Sequence, residues 1–543
     1  MSSSPTYIHT YYKLCFNSVF FITFLVYSFF TTTFFLGNHD YRFLRYGFNI
    51  LQGLWEGRIT QFILPTLLFE SQLLPILNST LGLVSLTFSA LILSNLFHIP
   101  QKKVITIPFC LLITLTPHVL SQLYYVHTSA QTLFWHFAII LAIYITQKHT
   151  SSQKKLKTYI SSYILILSSI CGYPPAIQLV FTLIFCLITI DITYNNLSIK
   201  DIIKKYLTIL LISLLVCLNY FIIVKILLSK NIIDGNMYTT HSVPFVTIIQ
   251  KIFTNLQTPI KVLLSPYPYI GNKPTPFIIS LILLSLISFY YTKHLFICSI
   301  SLIPIFISSL TTSYITPHDV SYLYRINFYS FPYIIAFFYA ISINSNLKII
   351  QNISNLSAYI LLILFIYSNF TTQKVWYLGS IQDNQKIERL RKDLLPKINT
   401  NYNYNLYFIG FLNSNKKFSP SKNYLYKNIK SYKEHYINNH YIDAYLSNLL
   451  FITETHNPIE QTSFYSNKKM SLINSYDTPN NTKLNHRPFT ISTPTNNKTI
   501  YNWLSTSSPT SLITNTYDIF LYISPNKQHK KFLTNYLLTQ NKL

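Results

Sequence analysis

Carboxylates are the scarcest chemistry-bearing residues in this sequence, with 16 Asp and Glu against 42 Lys and Arg in 543 residues. Before Phe370 they are Asp40, Glu56, Glu70, Asp191, Asp201, Asp234 and Asp319. Asp40 follows Asn38-His39 a few residues past a long apolar run, so the chain holds it close to a membrane surface. Partial desolvation there raises the basicity of a carboxylate. Two readings are open: a general base, or a solvated residue closing a helix. The residues that follow add cations. Arg42, Arg45, Asn49 and Gln52 recur at i, i+3, i+7 and i+10, which is one side of a helix. Phe43, Phe48, Ile50, Leu51, Leu54 and Trp55 give that helix an apolar surface for lying along lipid. The guanidinium forks suit a phosphate held beside the carboxylate. They serve equally as anchors to anionic head groups.

Further candidates lie in two other polar stretches. Trp55-Glu56-Gly57-Arg58 closes the first stretch, where Glu56 and Arg58 can form a local pair. The stretch 311–327 carries Pro317-His318-Asp319 and Tyr322-Leu323-Tyr324-Arg325. Arg325 stands just before an apolar run, at the depth of a lipid phosphate, and is either a ligand for it or an interfacial anchor beside Tyr322 and Tyr324. Asp319 either assists a base or pairs with Arg325. The long stretch 229–276 has Asp234-Gly235, Lys273 and the Pro- and Tyr-rich run 265–269. That composition fits a lid or a sugar-stacking surface, and loop punctuation explains it as well.

These residues must be positioned by elements that live in lipid. Half of the residues are hydrophobic and only 11% are charged, well under the roughly one quarter charged in soluble domains. A bilayer needs about 20 apolar residues per helix. Runs at 12–35, 73–97, 104–125, 131–146, 159–170, 175–190, 206–228, 277–291, 294–310, 328–343 and 358–370 predict about eleven transmembrane helices. The fifth and sixth are short and flank Cys171-Gly172-Tyr173-Pro174-Pro175, so a re-entrant pair is the alternative to two full crossings. Lys102, Lys103, Lys148, Lys154, Lys155, Lys157, Lys200, Lys204, Lys205, Lys293 and Lys348 fall in alternate loops, which the positive-inside rule makes cytoplasmic. The first outer loop, 37–72, with its interfacial helix, a short turn at 126–130, the loops 229–276 and 311–327, and everything past Phe370 then face out.

The expected organisation is a multi-pass domain over 1–370 and a polar outer domain over 371–543. In the latter, 405–411 and 517–524 read as strands, and 384–398 and 435–450 as helices, giving a small α/β domain. A net charge of +26 would point to nucleic acid in a soluble chain, but it sits in loops and tail without a recognition motif, so no nucleic-acid partner is expected. The six cysteines are scattered in or beside apolar segments with no CxxC pair, which argues against a disulfide framework or zinc site. No outward cluster of carboxylates calls for a metal, and no cofactor is indicated.

Asn38-His39-Asp40 with an Arg soon after, then Trp55-Glu56-Gly57-Arg58, Leu64-Pro65 and an apolar span, resembles the opening of the GtrII-type glucosyltransferases, bacterial membrane proteins similar to the wider GT-C class. The resemblance covers about 20–397, on motifs in the first hundred residues and on hydropathy beyond them. It implies a GT-C-like, all-α polytopic fold in the inner membrane. It also implies transfer of a sugar, often glucose, from a polyprenyl-phosphate carrier to a polysaccharide or glycolipid acceptor such as O-antigen on the periplasmic side. Where the family often shows two adjacent acids this chain has His39 before Asp40, which loads the base role on Asp40. Arg42, Arg45, Arg58 and Arg325 are then the donor-phosphate candidates, and His39, Glu56, Asp319, Tyr322 and Tyr324 line the substrate loops. The competing class is a transporter or flippase of lipid-linked glycans, which predicts charged residues buried along a path through the spans.

Overall fold

A computed structural model describes residues 5–33, 48, 50–55, 57–148, 155–195, 197, 199–232, 245–255, 260, 263–264, 273–292, 295–309, 329–394, 404–410, 459–466, 469–473, 510–513 and 518–524. One compact unit takes in the described residues up to Lys374 and a second those from Val375 onward.

The first unit is helical throughout its described residues. In chain order its helices are α1 Pro5–Val26, α2 Ser28–Thr32, α3 Ile50–Trp55, α4 Ile63–Phe69, α5 Pro75–Leu96, α6 Lys103–Thr114, α7 His118–Leu123 and α8 Val126–Lys148. They continue as α9 Lys155–Gly172, α10 Ala176–Tyr194, α11 Ile199–Ser229, α12 Phe245–Asn255, α13 Thr275–Tyr291, α14 Leu295–Ser308, α15 Phe331–Ile343 and α16 Lys348–Leu394, of which the part up to Lys374 belongs to this unit. Five stretches among the described residues are long and apolar enough to cross a bilayer: Pro75–Leu96, Val126–Lys148, Ala176–Tyr194, Lys200–Ser229 and Lys348–Lys374. Five further apolar helices are shorter, at 10–17 residues. The chain is therefore a helical membrane protein. Most of the apolar stretch of α10 is buried inside the bundle, whereas most of that in α11 is not, and it turns Leu211, Leu214, Leu218 and Phe221 outward as a lipid-facing surface.

Breaks in these helices occur where the chain lacks an N–H or must turn, and their stranded carbonyls are met by neighbours. Pro117 stops α6, and the carbonyls of Thr114 and Leu115 accept hydrogen bonds from Tyr27 Oη at 3.0 Å and Asn369 Nδ2 at 2.8 Å. The expected turn at 126–130 is corrected here. Those residues are the first turn of α8, since no Gly or Pro interrupts them, and the connection runs through α7 instead. The second break, at Cys171–Pro175, separates α9 of 18 residues from α10 of 19. The last apolar helix also exceeds expectation, starting at Lys348 and running past Phe370 without interruption.

The connections sort to two ends. At one end, Asn344 Nδ2 donates to the Phe97 carbonyl at 3.2 Å, and Tyr194 Oη donates to the Ile341 carbonyl. Asp191, 1% exposed, accepts there from Lys205 Nζ at 2.5 Å, Tyr206 Oη at 2.6 Å and Asn195 Nδ2 at 2.6 Å, with His98 Nε2 at 3.5 Å. At the other end, Tyr220 Oη donates to the Gly57 carbonyl at 3.4 Å. Tyr206 and Tyr220 lie about 21 Å apart along α11 at 1.5 Å per residue. Among the described residues, the connections beside Lys102, Lys205 and Lys348 thus share one end, and the first loop lies at the far end. α1 and α6 run parallel, joined by Tyr11 Oη to Thr106 Oγ1 at 2.7 Å and Thr23 Oγ1 with Thr114 Oγ1 at 2.8 Å.

The second unit contains a five-stranded sheet: β1 Tyr404–Gly410, β2 Ile459–Ser466, β3 Lys469–Ile473, β4 Thr510–Ile513 and β5 Asp518–Ser524. Its strand order is β3-β2-β1-β5-β4, with β1 parallel to both β2 and β5 and the edges antiparallel. β1 and β5 occupy the segments read as strands from sequence. The parallel pairs require long crossovers, and the helix expected at 435–450, within the β1–β2 crossover, lies outside the described residues.

Candidate functional site

Of the residues given a base, donor-phosphate or substrate-loop role from sequence, Arg58 is the one among the described residues. Asp40, His39, Arg42, Arg45, Glu56, Asp319, Tyr322, Tyr324 and Arg325 lie outside them. Arg58 is set by a glycine-built turn at the end of α3. Gly57 has φ +66°, a left-handed conformation that costs an L side chain about 1–2 kcal/mol. The turn closes with Arg58 N–H donating to the Gly53 carbonyl at 2.7 Å. A Cβ on Gly53 would stand 2.8 Å from the Arg58 carbonyl, so the approach needs glycine there too. Arg58 Nη1 reaches Gln61 Oε1 at 3.4 Å, and its guanidinium lies 6.0 Å from the centroid of the Tyr173 ring.

Tyr173 belongs to the break between α9 and α10, and the first loop is pinned to that break by Thr60. Its hydroxyl donates to the Ser168 carbonyl at 2.6 Å and its N–H to the Cys171 carbonyl at 3.4 Å, so the last carbonyls of α9 are capped from the first loop. Gly172 sits under the Trp135 indole, and a Cβ there would also meet Thr60 Oγ1 at 2.9 Å. The rings then continue inward. Tyr173 is 5.3 Å from Tyr329, Tyr329 is 3.9 Å from the His136 imidazole, and His136 Nδ1 shares a 2.5 Å hydrogen bond with the Tyr333 hydroxyl. Tyr329 Oη donates to the Thr132 carbonyl at 3.2 Å.

One end of the bundle therefore brings together the first polar loop, the α9–α10 break and the start of α15, with the half-buried Arg58 beside them. Such an arrangement offers a fixed cation for an anionic group beside a run of aromatic and polar side chains. No group of three His, Cys, Asp or Glu side chains suited to a metal occurs among the described residues. Sequence reasoning noted the Cys171–Pro175 break only as a break, and missed Thr60, Trp135, His136, Tyr173, Tyr329 and Tyr333. The available signal was the placing of Trp135-His136 in mid-span, since an ionisable residue in a membrane helix is a functional candidate by default.

The family model described as "Glucosyl transferase GtrII" matches residues 28–343, more than half of the chain and the whole stretch that builds this end of the bundle. No curated protein and no solved structure matches. The chain belongs to the GtrII glucosyltransferase family, and is a membrane glycosyltransferase with a sugar donor and an acceptor.

Proposed function

We propose, from membership of this family, that the chain moves glucose from a polyprenyl-phosphate carrier to a cell-surface polysaccharide such as O-antigen, on the periplasmic face of the bacterial inner membrane. The observation that carries the reading is the seating of Arg58, the basic end of Trp55–Arg58, against Tyr173 where the first loop meets the α9–α10 break. In this account Arg42, Arg45, Arg58 and Arg325 hold the carrier phosphate, with His39, Glu56, Asp319, Tyr322 and Tyr324 around the substrates. Asp40 takes the proton of the acceptor hydroxyl as its oxygen attacks the anomeric carbon. The bond from that carbon to the phosphate oxygen breaks, and its electron pair leaves on polyprenyl phosphate, whose growing charge the guanidiniums stabilise. A phosphate is already a good leaving anion, so one carboxylate suffices. The polar segment after the last apolar helix is proposed to face the periplasm. A flippase reading draws no support from the described spans. Their buried carboxylate, Asp191, is fully engaged by neighbouring donors at the opposite end from Arg58.

Membranes containing the protein, supplied with labelled polyprenyl-phosphate glucose and an O-antigen acceptor, are expected to yield labelled polysaccharide, and a labelled nucleotide sugar without carrier is not. Labelling from the nucleotide sugar alone would overturn the carrier assignment.

A further inference from the structure

Beneath Arg58, the outer half of α8 carries Gln131, Thr132, Trp135 and His136 at i, i+1, i+4 and i+5, which is a single stripe along the helix. All four are buried, with Gln131 only 1% exposed. Contacts fix both edges of the stripe. Trp135 lies over Gly172 beside Thr60, while Thr132 and His136 face Tyr329 and Tyr333. Yet neither amide atom of Gln131, nor the indole N–H of Trp135, nor Nε2 of His136 finds a hydrogen-bond partner among the described residues. The hydroxyl of Ser330, next to Tyr329, is in the same position. Buried polar groups without partners cost stability and are few in native interiors. Asp191 at the far end shows the ordinary solution, a buried acid met by donors on every side.

Donors and acceptors side by side, bordered by aromatic rings, form the chemistry that recognises a monosaccharide. Adjacent sugar hydroxyls each donate and accept, a primary amide answers two of them at once, and the C–H face of the ring packs on aromatics. We propose that this cluster is the subsite for the sugar ring of the donor, with Gln131, Trp135 and His136 bonding its hydroxyls and Tyr173 and Tyr329 packing against the ring. Arg58 lies over Tyr173, and Tyr173 borders Tyr329. A carrier phosphate held by Arg58 leaves the attached sugar, one bridging oxygen away, directed along those rings toward α8. This assignment rests on the lipid-phosphate donor proposed above.

The test compares binding of polyprenyl-phosphate glucose with binding of the same polyprenyl phosphate lacking sugar, using the full chain in lipid nanodiscs. Wild type is expected to prefer the sugar-bearing form. Gln131→Leu is expected to lose about tenfold in affinity for that form and none for the bare carrier. Its ligand-free thermal midpoint should equal or exceed that of wild type, because an unmet amide is replaced by an apolar group of similar size. Trp135→Phe, which keeps a ring and removes the N–H, should show the same selective loss and stands in if Gln131→Leu does not accumulate. Unchanged preference for the sugar-bearing form in both variants overturns the subsite alone. An equal loss for both ligands with a lowered midpoint does so too, making these groups structural or water-bound. Wild type that binds neither form overturns the lipid-phosphate reading on which the subsite depends.

Discussion

At the scale of single residues, the account turns on what a guanidinium does that an ammonium does not. Arg58 combines a fork for phosphate oxygens with a flat face near the Tyr173 ring, and a lysine supplies a point charge with neither property. Arg58→Ala is expected to raise the KM for the lipid-phosphate donor about tenfold or more, in proportion to the loss of a charge-assisted hydrogen bond. Arg58→Lys should recover only part of that. Steady-state kinetics at matched protein levels make the check, and a lysine variant equal to wild type would reduce Arg58 to a source of positive charge. Arg42→Ala and Arg325→Ala belong to the same series. Donor kinetics unchanged in both would return those two to head-group anchoring.

Helices and their breaks decide whether such residues meet. Thr60 caps α9 and Gly172 admits both Thr60 and Trp135, so a methyl group at Gly172 must push one of them away. Gly172→Ala is expected to cost about 1–3 kcal/mol through overpacking and to lower transfer activity about tenfold or more as the first loop shifts. Thermal unfolding and activity measured on the same preparation separate the two effects, and normal activity would show that the first loop needs no seat on this break. Much of this level was legible in the sequence. Pro174-Pro175 marked one interruption, whereas the break at Pro117 was missed inside the run 104–125, and the apolar runs overlap the helices now seen because length and hydropathy are local properties. What the sequence did not disclose was tertiary. The 126–130 stretch read as a loop only because an outward turn was needed there. The partnership of Thr60 with Ser168, 108 positions away, leaves no trace in local pattern. Gln131 and His136 look like ordinary polar residues in a helix until their surroundings show which of their atoms go unanswered.

At the scale of the helical unit as a whole, the described polar contacts gather at two ends. Lys205 and His98 meet Asp191 at one end, and the first loop meets the α9–α10 break around Arg58 at the other. On the positive-inside rule the Arg58 end is expected to be external, as proposed above. A cysteine placed at Lys102 is expected to resist a membrane-impermeant thiol reagent added outside, and one at Leu543 to react. The reverse pattern would invert the orientation and put the site on the cytoplasmic face. On that orientation the site would have no access to cytoplasmic nucleotide sugars, which favours the lipid-borne donor proposed above. In the mechanism proposed above Asp40 is the acceptor's base. The decisive measurement is therefore single-turnover transfer by Asp40→Asn, read together with its donor affinity. The amide keeps the size of the carboxylate and removes the proton acceptor, so the rate should fall about 10²- to 10⁴-fold while polyprenyl-phosphate glucose still binds as it does to wild type. Transfer near the wild-type rate, at normal protein levels, would contradict the mechanism.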